Sequence, residues 1–403
     1  MAALGAAVTE AVVLEEGRRG FLRRLADPFW FQAFGAVLGM DWHSSGITTS
    51  VMGALKRGLG PRADELGLYV CGGRGKHSRK TPQELAEVSD RLGLDGDGLI
   101  RASRLVAKVD GVALQDGFAL YLHAFVVTGD GDWVVVQQGM NGERRQARRY
   151  HWRSEAVRSF VEEPHDAVVG ANQGKIVNLT DRRSRLAREA TVDLSSQTPE
   201  AVVRQVASIA ERHVQMPAHH DVRPTDLFLR RLHGVIALSR EAHVEGFDDL
   251  LLTRGLGPRT MQALALVAEV AYGAPSRFDD PARFAFAHGG KDGHPHPVPL
   301  LVYDRTIDTL RRAVDRAKVG RTDKLHAFRR LEASAAALER RAKGQPLEAI
   351  VDDEWRESPA RGGMTVMGPA SPELEERIRG GEVSAPAPAV PSRPRKRQLE
   401  LFG

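Results

Sequence analysis

Between residues 10 and 60 apolar residues recur at three- and four-residue intervals, as Phe21, Leu22 and Leu25, then Phe29, Trp30, Phe31 and Phe34. That spacing lines one side of a helix. Asp27-Pro28 divides it, because proline lacks an amide donor and restricts the residue before it. The small-residue segment Asp41-Trp42-His43-Ser44-Ser45-Gly46 comes before a further helical stretch to about Lys56. Leu68-Tyr69-Val70-Cys71 reads as a short strand feeding a glycine-rich basic loop, Gly72 to Lys80. Thr81-Pro82-Gln83-Glu84 has the form of a helix start, with Thr81 as N-cap, Pro82 in the first turn and Glu84 as capping-box partner. That helix runs to about Leu92, and another covers Asp97 to Val109.

The clearest β signal lies between 118 and 138. Phe118 to Val127 is almost wholly apolar, Gly129-Asp130-Gly131 turns the chain, and Trp133 to Gln138 returns. A hairpin apolar on both sides belongs inside a covered sheet, so its polar residues need partners. Antiparallel pairing about 130 or 131 sets His123 opposite Gln137 or Gln138, with Asp116 entering the same strand from its start. From Gln197 to about Leu338 the pattern is helical; beyond Lys343 it degrades, and Ala385 to Arg397 is a proline-rich linker. The fold class expected is therefore α+β. An α/β-type N-terminal half (1–195) carries a small buried sheet, and an all-α half (196–340) follows. A flexible basic segment (341–397) and a disordered terminal peptide (398–403) complete the chain.

With 403 residues the chain has room for two or three domains. Its formal charge of +5 is compatible with nucleic acid but has to cluster before it steers a ligand. Cys71 stands alone, which excludes a disulfide framework and a cysteine-based zinc site and suits a reducing cytoplasm. No stretch has the length and apolarity of a membrane span, so neither a membrane partner nor export is expected.

Residues 246–272 resemble a helix-hairpin-helix motif. A short apolar helix ends at Gly255-Leu256-Gly257, and a second opens on Pro258 with Leu264, Val267 and Ala271 on its inner side. The glycines allow a tight turn and close approach of backbone amides to a phosphate, and Leu256 plugs the space between helices. Arg254, Arg259 and Thr260 would face the anion at the positive end of the second helix. Such contacts read phosphate rather than bases. The bland reading is a structural helical hairpin. At the extreme C-terminus, Gln398, Leu399, Leu401 and Phe402 look like the peptide by which bacterial DNA enzymes hold the replication sliding clamp, ordered only on binding.

Four polar clusters in the first half contain the groups chemistry would use. Asp41 and His43 are spaced as two ligands on one strand face. Ser45 beside His43 is a weaker nucleophile candidate. Lys108, Asp110 and Asp116, with His123 and Gln138, form a candidate catalytic set in which Asp41, His43, Asp110 and Asp116 hold Mg²⁺ or Mn²⁺. The returning strand lacks the acidic-x-lysine pattern usual in restriction-type nucleases. Asp110-Gly111 also reads as a plain turn, and His123 as a satisfied core histidine. Arg74, Lys76, Arg79 and Lys80, and Lys291 within the loop His288 to His296, are candidate phosphate contacts, the three histidines of that loop being alternative metal ligands.

Several longer runs resemble domain-of-unknown-function family 763. They are Asp27-Pro28-Phe29-Trp30-Phe31-Gln32; Gly39 to Gly46; Gly72-Gly73-Arg74-Gly75-Lys76 with Ser78-Arg79-Lys80; and Ala102 to Asp110. Gln137 to Asn141, Tyr150-His151-Trp152 and Phe286 to Gly293 continue the likeness, which spans about 18 to 331. The resemblance implies kinship without an assigned reaction. Relatives are expected to carry a further N-terminal Leu-His-Gly-Gly-like segment, and nothing like it precedes Leu14. Taken together, these readings lead to the expectation of a nucleoid-associated DNA repair or replication protein, a metal-dependent deoxyribonuclease delivered by the clamp. A non-catalytic DNA-binding adaptor and a glycosylase- or ligase-like factor are the alternatives.

Overall fold

The computed structural model describes residues 1–40, 46–211, 229–282, 300–341, 356, 364–365 and 368–369. One compact unit comprises 1–296 and 301–337; a second comprises 297–300 and 338–403, within which Met364–Thr365 pairs with Gly368–Pro369.

The aromatic-rich start forms α1 (Ala2–Ala26), broken at Gly17, and α2 (Pro28–Val37). The break at Asp27-Pro28 is also a cap: the Asp27 side chain accepts from the amides of Phe29 (2.8 Å) and Trp30 (3.2 Å). After α3 (Ile47–Leu59) and α4 (Ala63–Leu66) comes β1 (Leu68–Arg74), three residues longer than the apolar run suggests. α5 (Thr81–Leu92) and α6 (Gly96–Lys108) follow. A single π-helical turn, Val109–Ala113, joins α6 to β2 (Leu114–Gln115).

The capping box expected at Thr81 is not formed. No side chain caps α5, and the Thr81 hydroxyl donates to the Ser78 carbonyl at 2.8 Å. Glu84 turns instead to the preceding loop, accepting from the Gly72 amide and from Lys56, each at 2.6 Å. A buried amide and a cation compete for that carboxylate better than the exposed first turn does.

The central sheet has five strands in the order β1-β3-β4-β5-β6, formed with β3 (Ala119–Thr128), β4 (Trp133–Asn141), β5 (Gln146–Arg153) and β6 (Ala167–Val169). Every pairing in it is antiparallel, so the N-terminal half is not of α/β type but α+β with helices on both faces. Side chains alternate between two cores, as strand geometry requires. Tyr69, Phe125, Val135, Tyr150 and Trp152 enter a core shared with α5, α6, α7 (Arg185–Ser196) and α11 (Pro258–Tyr272). Leu68, Leu122, Val126, Val134 and Val136 enter the other, shared with α1, α2 and α3.

Among the described residues of 196–341, the chain is helical apart from one strand: α8 (Pro199–Glu211), α9 (Leu229–Glu241), α10 (Phe247–Leu252), α11, β8 (Arg277–Asp279), α12 (Leu300–Arg316) and α13 (Arg321–Arg341). β8 completes a small second sheet, β2-β7-β8, with β7 at Lys175–Asn178. Leu310, Val314 and Leu331 of α12 and α13 close the core over α1. Glu15 pairs there with Arg312 (3.0 Å) and Arg316 (3.1 Å), and Glu10 pairs with Lys318 (3.0 Å) and Arg62 (2.9 Å). Hydrogen bonds from Arg62 and Lys318 hold the Glu10 carboxyl down to about 2.

Candidate functional site

The apolar hairpin fixes the geometry of a buried polar chain. Its register sets His123 directly opposite Gln137, one of the two pairings the turn allows. His123 Nδ1 lies 2.6 Å from Gln137 Oε1, and Ser103 Oγ, from α6, lies 2.9 Å from His123 Nε2. Gln137 Nε2 donates to Asp110 Oδ2 at 2.5 Å, and Trp152 Nε1 donates to the same oxygen at 3.0 Å. His165, in the loop before β6, reaches Asp110 Oδ1 at 2.5 Å. With the glutamine oxygen accepting from Nδ1, the donors run one way, from Ser103 through His123 and Gln137 to Asp110. Burial pushes the His123 pKa below its ordinary value, against the Gln137 hydrogen bond, so the ring is held neutral. Asp110 is fully buried and Ser103 is 3% exposed, which keeps the chain from a bulky substrate.

A second network adjoins it. Asp116 Oδ2 accepts from Tyr150 (2.6 Å) and Arg148 (2.9 Å), its Oδ1 accepts from the Phe118 amide (3.0 Å), and Arg148 also binds Asp280 at 2.6 Å. The Tyr150 ring is 6.1 Å from that of His165, which links the two networks. Burial works against the Arg148 charge, and the carboxylates of Asp116 and Asp280 more than offset it. An ion triad removed from water requires all its partners. On the opposite sheet face, Arg149 Nε donates to His151 Nε2 at 2.6 Å. Burial lowers the Arg149 pKa to about 9 and that of His151 well below normal.

The turn between α10 and α11 is pinned from behind. Lys108 Nζ donates to the Leu256 carbonyl at 2.7 Å, Arg231 Nε to that of Gly255 at 3.0 Å, and Gln115 Nε2 to that of Pro258 at 2.8 Å. Gly255 adopts φ +88°, a left-handed conformation in which a side chain would be strained. Leu256 is buried while Arg254, Gly255 and Arg259 are exposed. Burial, with Arg231 nearby, lowers the Lys108 pKa. Asp248 and Asp249 of α10 are engaged by Arg101, at 2.6 and 2.7 Å.

The structure thus joins Asp110 and His123 through Gln137, places Asp116 in the neighbouring network and sends Lys108 to the hairpin. Gln138 faces the other core, so it does not join His123. Asp41, His43, Ser45, Lys291, the His288–His296 loop and the tail with Gln398, Leu399, Leu401 and Phe402 lie outside the described residues. Sequence reasoning missed Ser103, Arg148, Tyr150, Trp152, His165 and Asp280. The signal available was Gln146–Arg153, where arginines sit inside an otherwise strand-like run. Among the described residues, no three His, Cys, Asp or Glu side chains gather as metal ligands. No helix among them is long and apolar enough to cross a membrane.

The matching family model, described as a protein of unknown function (DUF763), covers residues 1–298, and the chain belongs to that family. The match starts earlier and stops sooner than the 18–331 suggested by the motifs. No curated protein and no solved structure matches the chain.

Proposed function

We propose that this is a DNA-binding protein of repair or replication that grips the sugar–phosphate backbone through the hairpin between α10 and α11, used as a helix-hairpin-helix. The observation that carries this reading is that the carbonyls of Gly255, Leu256 and Pro258 are held by the side chains of Arg231, Lys108 and Gln115. Among the described residues every peptide is trans. In a trans peptide the carbonyl and the following amide point in opposite directions. The Leu256 carbonyl turned toward Lys108 therefore aims the Gly257 amide away from that contact. It is joined by the positive end of a fifteen-residue helix and by exposed Arg254. Lys108 and Arg231 add positive charge beside the loop. Binding is then independent of base sequence. Arg254→Glu combined with Arg259→Glu should weaken binding of several unrelated duplexes by ten-fold or more in fluorescence anisotropy; unchanged affinity refutes the reading.

The tail 398–403 serves in this proposal as a sliding-clamp peptide, supported by its Gln-Leu-x-Leu-Phe pattern. Its deletion should abolish clamp binding and leave bare-DNA affinity nearly intact. Metal-dependent cleavage is a second reading, supported by Asp110 and Asp116 occupying adjoining networks on one sheet face. As arranged, every oxygen of both carboxyls already accepts a hydrogen bond, so these residues alone do not fit Mg²⁺ or Mn²⁺. Incubation with duplex, flapped and branched DNA plus either metal decides this reading. Product lost in a folded Asp110→Asn protein supports it, and tight binding without product favours the adaptor.

A further inference from the structure

The strands place more positive charge at one end of the central sheet than the hairpin supplies. β1 ends there in Arg74, which pairs with Leu122 near the start of β3, and β4 passes to β5 there through a turn at 142–145. Beyond Arg74 the chain makes a short 3₁₀ segment, Gly75–Lys80. Arg74, Lys76, Arg79 and Lys80 are all exposed there. Among the described residues none of these four side chains forms an ion pair or hydrogen bond. The backbone beneath them is fixed: the Gly72 amide donates to Glu84 and its carbonyl accepts from Lys56. Gly72, Gly73 and Gly75 have φ of +82°, +134° and +60°. A Cβ on Gly72 would lie 2.3 Å from the His123 carbonyl oxygen, so the loop can take this path only with glycine there. At the neighbouring turn Arg144 and Arg145 are exposed beside Glu143, and Arg144 bonds Gln173.

The hairpin reaches the same end. Gln115 holds Pro258, and the next residue, Asp116, is bonded to Arg148, opposite Gly139 near the end of β4. Loop 74–80 stands on edge strand β1, and the Arg144–Arg145 turn lies two to three strands away in the sheet order. At about 4.8 Å per strand the two cationic groups are roughly 10–15 Å apart. B-form DNA grooves are about 6–12 Å wide, so facing phosphate rows across a groove match that separation. Neither loop, nor the hairpin, contains Phe, Tyr or Trp. The aromatic platforms on which single-stranded bases stack are therefore lacking in these three segments.

We propose that this end of the sheet is a duplex-DNA-binding face, in which loop 74–80 and the Arg144–Arg145 turn contact phosphates across a groove while the hairpin at 254–257 holds the adjoining backbone. This rests on the hairpin reading above. Salt dependence tests it, because each phosphate contact contributes about −0.9 to the slope of log K against log salt. The full chain is titrated with a fluorescein-labelled 25-base-pair duplex and the matching single strand at several salt concentrations. One protein carries Arg74→Ala, Lys76→Ala, Arg79→Ala and Lys80→Ala; a second carries Arg144→Ala and Arg145→Ala; a third carries the hairpin substitutions. These exposed changes should leave the melting temperature unchanged.

The loop variant is expected to bind duplex at least ten-fold more weakly, with a slope shallower by about 2 or more, and the turn variant should show a shallower slope too. Wild-type protein should prefer duplex over single strand. If the loop and turn variants match wild type while the hairpin variant fails, the face is refuted and the hairpin reading stands. Were the loop variant alone to fail, the hairpin reading would fall. Equal losses on single strand and duplex would overturn the cross-groove arrangement. An unbound duplex, with an acidic protein or RNA captured instead, would overturn both.

Discussion

Replacing Asp110 by alanine removes the acceptor on which three buried donors converge: Gln137 Nε2 at 2.5 Å, Trp152 Nε1 at 3.0 Å and His165 Nε2 at 2.5 Å. A buried donor left without an acceptor costs about 1–3 kcal/mol, so the three together cost roughly 3–9 kcal/mol. A typical domain has about 5–15 kcal/mol in all. Asp110→Ala should therefore unfold at much lower urea concentration and give little soluble protein. Asp110→Asn retains one oxygen for Gln137 and Trp152 and turns an amide toward His165. The imidazole can then present its lone pair, so we expect a loss of only about 1–2 kcal/mol. Urea unfolding followed by far-UV circular dichroism and by Trp fluorescence reads both, Trp152 reporting on the site itself. An alanine variant within about 1 kcal/mol of wild type would show that the convergence seen here does not hold the π-helical turn against the sheet.

Three other expectations follow from particular contacts. Gly72→Ala places a methyl against the His123 carbonyl and should cost at least about 2 kcal/mol more than Gly75→Ala, whose Cβ meets nothing within 4 Å, in paired denaturation curves. Burial lowers the pKa of both His123 and His151 below the unfolded value, so the unfolded chain binds more protons as pH falls. Stability from these two groups is complete above about pH 6.5 and drops by about 1.4 kcal/mol per pH unit for each until its folded pKa is reached. A flat unfolding free energy between pH 7.5 and 5.5 would contradict it. Lys108→Met keeps the apolar stem but strands the Leu256 carbonyl; amide exchange at 254–259 should quicken by ten-fold or more and duplex affinity should drop, whereas unchanged exchange would deny Lys108 its role in holding the turn.

The hairpin was legible because its information is local. An apolar run, a Gly-Asp-Gly turn and a two-residue period fix the register to within one position, which is why His123 meets Gln137. The role of Asp110 was not, since Asp-Gly looks like a surface turn. Its burial is set by Trp152 and His165, 42 and 55 residues further on. β5 escaped notice for a related reason. Arg148, Arg149 and His151 contradict a buried strand until Asp116, Asp280 and Gln32 are seen to receive them. Glu84 fitted a capping box by spacing alone, and a cation and amide twelve or more residues away claimed it.

Where the family match stops and where the folded body stops are different places. A fragment cut after residue 298 would retain all strands of the five- and three-stranded sheets, yet it would shed Leu310, Val314 and Leu331 together with the arginines that grip Glu15. The greasy back of the first helix would then face water, and such a fragment is a poor choice for expression: it would clump with its own kind before any nucleic acid could be offered to it.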